Sequence, residues 1–306
     1  MSELAVRTTG LTKYFGGAAA VDHLTLSVPR GCIYGLLGRN GAGKTTAIKL
    51  MLGLLHPTAG SSELLGCDSR RLTPEVRGRI GYVTEGHRLP RWMTIAALAR
   101  FQRAFFPARW DEGLFGEMLD YFRLSAGRKV RRLSNGQRAQ VSLAVAMAPD
   151  PDLLIMDDPT LGLDVVIRRQ FLEGMIQLIQ RRGKTILFSS HILGDVERVA
   201  DRIAIIERGA LRADCSLNEF RSAVRKVRLA VPDGMPDEVD IPGLLHSRRG
   251  ESELELTLVG VSDGQVEAWA DQVGAARCKP VSMTLEDQFI EFTSPGDGRL
   301  FEWEGE

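Results

Sequence analysis

Net charge is missing from this sequence: 39 Lys and Arg balance 39 Asp and Glu over 306 residues. That excludes a global pull toward nucleic acid or anionic lipid and leaves only local patches. Cysteine is scarce. Cys32, Cys67, Cys215 and Cys278 lie far apart and form no C-x-x-C pair, which argues against structural zinc and a disulfide framework and suits a reducing cytosol. The opening "MSELAVRTTG" lacks a basic stretch followed by an apolar core and does not read as a signal peptide. No window approaches 18 uninterrupted apolar residues, and stretches such as "VSLAVAMA" are too short to span a bilayer. The chain is therefore not expected to cross a membrane by itself, only to sit on one through a partner. Internal repeats and low-complexity segments are absent as well.

What is present is an ordinary globular composition, 44% hydrophobic and 25% charged, with length for roughly two domains. Up to about residue 218, short apolar strands alternate with helical patterns: "CIYGLLG" then "KTTAIKLMLGLL", "DLLIMDD" then "RRQFLEGMIQLIQRR", "TILFSS" then "DVERVADR", and finally "IAIIERG". Near-continuous apolar strands predict an α/β fold with a sheet buried on both faces. "LAVRTTGLTKYF" and "VDHLTLSVPRG" alternate instead, as in an antiparallel edge. Residues 88–150 or so read as an inserted helical subdomain. Residues 219–306 predict a small α+β domain. There "VRKVRLAV" and "ELELTLVG" alternate, "SDGQVEAWADQVG" is a helix capped by Ser262 and Gln265, and "MTLEDQFIEFT" is a helix opened by Thr284.

The chemistry begins at "GLLGRNGAGKTT", which holds Gly38-x-x-x-x-Gly43-Lys44-Thr45 between an apolar strand and a helix. That spacing in that context is a P-loop. Glycines let the chain curl so that backbone N–H groups face phosphate, and the helix N-terminus adds its positive dipole end. Gly38, Asn40, Gly41, Ala42, Gly43, Lys44, Thr45 and Thr46 are the candidate nucleotide contacts, with Lys44 on the β- and γ-phosphates and the Thr45 hydroxyl on Mg²⁺. In "LLIMDDPTLGLD" two adjacent carboxylates end an apolar strand. In P-loop enzymes a strand-end Asp holds the metal, so Asp157 takes that role and Asp158 is free for the attacking water. "RRLSNGQRAQVSLAVAMA" puts Ser134 as N-cap before a long helix, a second candidate phosphate site. Asn135 there tolerates a left-handed backbone. By itself this segment reads first as a plain helix cap.

Together these motifs resemble the ABC ATPases over residues 4–215. "LSNGQ" resembles the family's LSGGQ signature, about 20 residues before "LLIMDD"; "LGLD" resembles the D-loop, "SSHILGDVERVADRIAII" the switch histidine and its helix, and "IGYVTE" stands at the Q-loop. The resemblance implies ATP and Mg²⁺ as cofactors, and two such domains facing head to tail. Ser134, Asn135, Gly136 and Gln137 of one would close on ATP held by the Lys44 loop of the other. Hydrolysis then releases the closed dimer. It further implies that Phe15 stacks on adenine, with Tyr14 as the alternative. His191 would contact the γ-phosphate and Asp164 would link the two sites. Lys44, Asp158 and His191 are the expected catalytic residues; Thr45, Glu85 and Asp157 are the expected metal ligands.

Two positions depart from the family. Glu85 stands where Gln is usual, which adds charge beside the metal. Asp158 stands where Glu is usual, so its carboxylate sits back by roughly 1 Å, a displacement that can cost about 100-fold in rate. Either the backbone has shifted to compensate or hydrolysis is slow; a functional but slow ATPase is expected.

"FFPARWDEGLFGEMLDYFRL" ahead of "KVRRLSNGQRAQ", and Val165, Val166 and Arg168 after "DDPTLGLD", resemble ATPase subunits of bacterial ABC-2-type exporters. That implies an integral membrane permease as partner, received near "EGHRLPRWMTIAALARF". Trp92 and Met93 there either fill the docking socket or belong to the helical core. Arg128, Lys129, Arg131 and Arg132 steer ATP, touch headgroups or are simply solvated. The implied protein is a homodimer or paired ATPase subunit at the cytoplasmic face of the cell membrane. Its membrane contact runs only through the permease, and no nucleic acid is expected. Two other readings remain open at this point. An importer subunit more often carries a β-rich accessory domain; a soluble repair or translation ATPase carries tandem cassettes, coiled coils or zinc modules.

Overall fold

The computed structural model describes residues 3–231, 239–250 and 252–294. It divides into two compact units, Met1–Asp214 and Cys215–Glu306.

The first unit opens with two long antiparallel strands, β1 (Leu4–Phe15) and β2 (Ala18–Pro29), then β3 (Ile33–Leu37) and α1 (Lys44–Met51). Next come β4 (Ala59–Leu64), β5 (Cys67–Asp68), α2 (Pro74–Arg77) and β6 (Ile80–Val83). Three helices follow, α3 (Ile95–Arg103), α4 (Glu112–Tyr121) and α5 (Asn135–Met147), and the chain returns through β7 (Leu153–Met156), α6 (Val165–Arg182) and β8 (Thr185–Ser190). The unit closes with α7 (Leu193–Val199), β9 (Arg202–Glu207) and β10 (Ala210–Ser216), and the division between units falls inside β10.

Two sheets result, in the orders β2-β1-β4-β5 and β10-β9-β3-β8-β7-β6. β3, β7 and β8 are buried at every residue, the polar Thr185, Ser189 and Ser190 of β8 included. The run β9-β3-β8-β7-β6 is parallel throughout, as strands buried on both faces require. The antiparallel sheet is larger than the two alternating strands suggest. β4 and β5 complete it, but "AGSSEL" and "CD" are too short and polar to carry a strand pattern. One core joins both sheets around α1: Leu24, Leu26 and Val28 from β2, Tyr34 and Leu36 from β3, Ile48 and Met51 from α1, Ile155 and Leu187 from β7 and β8. The helix that follows the Gly-rich loop is thereby fixed against both sheets.

Register then places the motifs. Val83 pairs with Met156, Met156 with Phe188, and Leu37 with Ser190. The residues that follow β3, β6, β7 and β8 therefore emerge at one edge of the sheet, the carboxyl end, where open α/β folds bind ligands.

The second unit holds α8 (Leu217–Ala223), β11 (Val224–Ala230), β12 (Leu244–Arg249), β13 (Glu253–Val259), α9 (Asp263–Gln272), β14 (Arg277–Val281) and α10 (Leu285–Thr293). Its sheet runs β12-β13-β11-β14 and is antiparallel. Val227 and Leu229 pair with Leu256 and Leu254, and this face packs on Val266, Trp269 and Ala270 of α9. Ser262 and Gln265 form the capping box expected of that helix. The opposite face is covered too, because Thr257 is buried, Lys226 pairs with Glu291 of α10 at 2.7 Å, and Phe292 of α10 packs edge-on to Phe220. β12 and β14 are polar edge strands, and Pro280 of β14 needs no ladder donor at an edge. That is why neither shows as a strand in sequence.

Candidate functional site

A cavity of about 320 Å³ opens at the carboxyl edge of the parallel sheet, lined by Ala20, Asn40, Gly41, Ala42, Gly43, Lys44, Thr45, Thr46, Glu85 and Asp158. The Gly-rich loop can curl there because Gly43 sits at φ 106, where a Cβ would lie 2.2 Å from the Ala20 carbonyl oxygen. No side chain fits. Ala20, brought in from β2, lines the cavity without any sequence signal. Lys44 is buried and its Nζ donates to Gly38 O at 2.9 Å and Arg39 O at 3.4 Å. Burial lowers its pKa, against the opposing pull of Asp158, Asp157 and Glu85.

Behind the loop runs a chain of hydrogen bonds. Thr45 Oγ1 donates to Asp157 Oδ1 at 3.0 Å, and so does Ser189 Oγ at 2.9 Å. Ser189 Oγ in turn accepts the Asp158 N–H at 2.8 Å. His191 Nδ1 stands 2.8 Å from Asp158 Oδ1. A carboxylate accepts, so Nδ1 carries the hydrogen and the neutral ring leaves Nε2 a lone pair. A direct contact from Nε2 to a phosphate oxygen then requires the imidazolium. The two carboxylates differ in surroundings: Asp157 is 1% exposed and held by two hydroxyls, whereas Asp158 faces the cavity. Ser189, the hub between them, precedes the switch histidine in "SSH" without any pattern of its own that marks it as a site residue.

The donor set fits a hard cation. Thr45, Asp157 and Glu85 offer only oxygen, and Mg²⁺ is characteristically held by one or two carboxylates with phosphate and water completing the shell. Polyphosphate beside Glu85, Asp157 and Asp158 would also be strongly repelled without a cation to offset their charge.

The remaining candidates lie apart from this cavity's lining. Ser134 and Gln137 form a reciprocal capping box at the start of α5, with Gln137 N to Ser134 Oγ at 3.2 Å and Ser134 N to Gln137 Oε1 at 3.1 Å. The left-handed backbone considered for Asn135 is not used: Ser134 caps, so Asn135 is already helical, and its side chain accepts from Arg138. Gly136 is buried, and a Cβ there would stand 2.7 Å from Ile167 Cγ2 of α6. Asp164 caps α6, its Oδ1 accepting from Val166 N and Ile167 N at 3.0 Å each. Asp164→Ser is expected to keep that cap, whereas Asp164→Ala costs about 1 kcal/mol in thermal unfolding. Turnover lost in Ser, with stability kept, would separate a role across two sites from capping.

Phe15 is 52% exposed with Lys13 Nζ 5.3 Å from its ring centre, and Tyr14 is exposed beside it. Trp92 and Met93 part company: Trp92 is 74% exposed and Met93 is in the core. Arg128, Lys129, Arg131 and Arg132 are all exposed. His87, unremarked in the sequence, is buried under Pro159. Among the described residues no helix is long and apolar enough to cross a membrane.

The profile described as "ABC transporter" matches residues 21–161. The chain is 35% identical to the bacitracin transport ATP-binding protein BcrA of Bacillus licheniformis, over 72% of each. It is 35% identical to the Nod factor export ATP-binding protein I of Rhizobium leguminosarum bv. viciae, over 96% of each. A solved structure described as the ATP-binding subunit of an ABC transporter superposes with a TM-score of 0.64 at 28% identity, over 71% of this chain and 92% of that one. The chain belongs to the ABC transporter family.

Proposed function

We propose that this chain is the ATP-hydrolysing subunit of an exporter. The observation that carries the reading is the continuous set from Lys44 through Thr45, Asp157, Ser189 and Asp158 to His191, of which Lys44, Thr45 and Asp158 line one cavity and the others stand behind them. In that set Lys44 and the loop N–H groups hold the phosphates. Thr45, Asp157 and Glu85 would hold Mg²⁺, which when bound offsets phosphate charge. Asp158 orients a water and receives its proton as the oxygen attacks the γ-phosphorus. The bond to the β–γ bridging oxygen breaks, and ADP and phosphate leave. His191 holds Asp158 in place through Nδ1.

Two copies pair head to tail, so that residues 134–137 of one close on the nucleotide of the other. Phe15 lies against the adenine. A separate multi-span permease docks near residues 85–93, where Trp92 offers an exposed aromatic anchor, and keeps the chain at the cytoplasmic face of the membrane. The export direction draws support from the names of the relatives, bacitracin transport and Nod factor export. Affinity purification of the full chain from membranes, with Mg-dependent ATP turnover measured on the same sample, tests the reading. A multi-span protein should co-purify and turnover should require Mg²⁺; turnover without any membrane partner would favour a soluble ATPase.

A further inference from the structure

The loop that carries Glu85 and the loop that carries Asp158 meet at one buried side chain. His87, between β6 and α3, is 4% exposed, and its Nε2 lies 3.0 Å from the Pro159 carbonyl oxygen. A carbonyl only accepts, so Nε2 carries the hydrogen and Nδ1 is a bare lone pair. Nδ1 is buried and has no hydrogen-bond partner among the described residues. The backbone at His87 is also left-handed, φ 48, which is uncommon without glycine. Phenylalanine would fill the space and strand no nitrogen, although it suits the left-handed backbone less than histidine does. What the imidazole adds is the N–H on Pro159.

That carbonyl closes the residue after Asp158. Asp158 itself is at φ 41, in the left-handed region, immediately before a proline, which narrows its choices further. A backbone in such a conformation stays there only because its surroundings hold it. Ser189 grips it at Asp158 N, and Asp195 of α7 grips Thr160 Oγ1 at 2.5 Å. Both come from the side of the sheet that carries His191. His87 is the grip from the Glu85 side.

We propose that His87 is a positioning residue for Asp158: its Nε2–H holds the Pro159 carbonyl and so sets where the Asp158 carboxylate stands in the cavity. This rests on the reading of Asp158 as the group that handles the attacking water. The test compares wild type, His87→Phe and His87→Gln as full-length chains, by Mg-ATP turnover across an ATP titration and by thermal unfolding. Gln can place an amide N–H near the position of Nε2; Phe cannot. The expected result for His87→Phe is a kcat lower by at least about tenfold, since a sub-ångström shift of a catalytic group has effects of that order. Its KM for ATP should stay within about twofold, and kcat is read per folded molecule because the strained φ and the unpaired Pro159 carbonyl lower its Tm, while His87→Gln recovers most of the kcat. A merely structural role would leave kcat per folded molecule unchanged in both variants. Wild-type kcat in His87→Phe, or a His87→Gln as slow as Phe, overturns the proposal. A wild-type protein with no turnover would remove the reading of the site first, and the proposal with it.

Discussion

Asp158→Asn is expected to lower Mg-dependent ATP turnover by at least about 100-fold, the usual contribution of a positioned proton acceptor, while leaving ATP affinity nearly unchanged. Asn has the same shape, tolerates a left-handed backbone as Asp does, and keeps an oxygen for the His191 Nδ1–H, 2.8 Å away in the wild type. It cannot take a proton from water. Nucleotide held without hydrolysis should then accumulate the head-to-tail pair, visible as ATP-dependent dimer on size-exclusion chromatography. Turnover of Asn at the wild-type rate would mean that another group handles the water.

The companion substitution, Asp158→Glu, separates length from chemistry. The extra methylene carries the carboxylate roughly 1 Å further into the cavity, which should raise kcat if reach limits the wild type. Opposing this is the backbone, since φ 41 favours Asp and Asn over longer residues. Faster turnover in Glu supports a slow wild-type enzyme. Slower turnover means that the left-handed turn already delivers the shorter carboxylate to its place.

The phosphate loop was legible because its requirements are local. A Gly at position 43 is demanded by its own φ and by the Ala20 carbonyl that would meet a Cβ, and the spacing to Lys44 and Thr45 follows within one turn. Buried parallel strands were legible because β3, β7 and residues 186–188 of β8 form short apolar runs. In the sequence Asp157 and Asp158 differ only by strand-end position; the structure adds a difference in surroundings, one sealed by two hydroxyls and the other facing the cavity. What sequence could not give are links made across the chain. Ser189 bonds a carboxylate 32 positions away, and His87 a carbonyl 72 positions away; a lone serine in a strand or a lone histidine in a loop has no pattern to announce this. Edges were lost for a different reason. β5 has two residues and β14 contains a proline, so neither carries the apolar alternation that marks a half-buried strand. At Trp92 and Met93, adjacent in a loop, only the fold decides which side chain turns inward.

Lys44→Met should abolish high-affinity nucleotide binding, by at least about 100-fold, with little change in fold stability. Among the described residues Lys44 is the only cation in the lining of a cavity that also holds Glu85 and Asp158. A unit charge about 4 Å from another is worth roughly 4 kcal/mol at an effective dielectric of 20, close to 1,000-fold, and desolvation of the ammonium returns part of that. Methionine matches the stem and removes a charge whose burial is unfavourable, as the lowered pKa of Lys44 records, so Tm should hold. The same lowering gives a pH signature. Phosphate binding needs the ammonium, so wild-type affinity stays level below the Lys44 pKa of the free protein. It declines above that pKa as the proton is lost, earlier than for an ordinary lysine. Equilibrium binding of a fluorescent ATP analogue across pH should give this falling limb in wild type and a weak, flatter line in Lys44→Met. A wild-type curve with no alkaline decline where Met is already weak would assign the lost affinity to the geometry of the loop, through the bonds to Gly38 O and Arg39 O, and not to the charge.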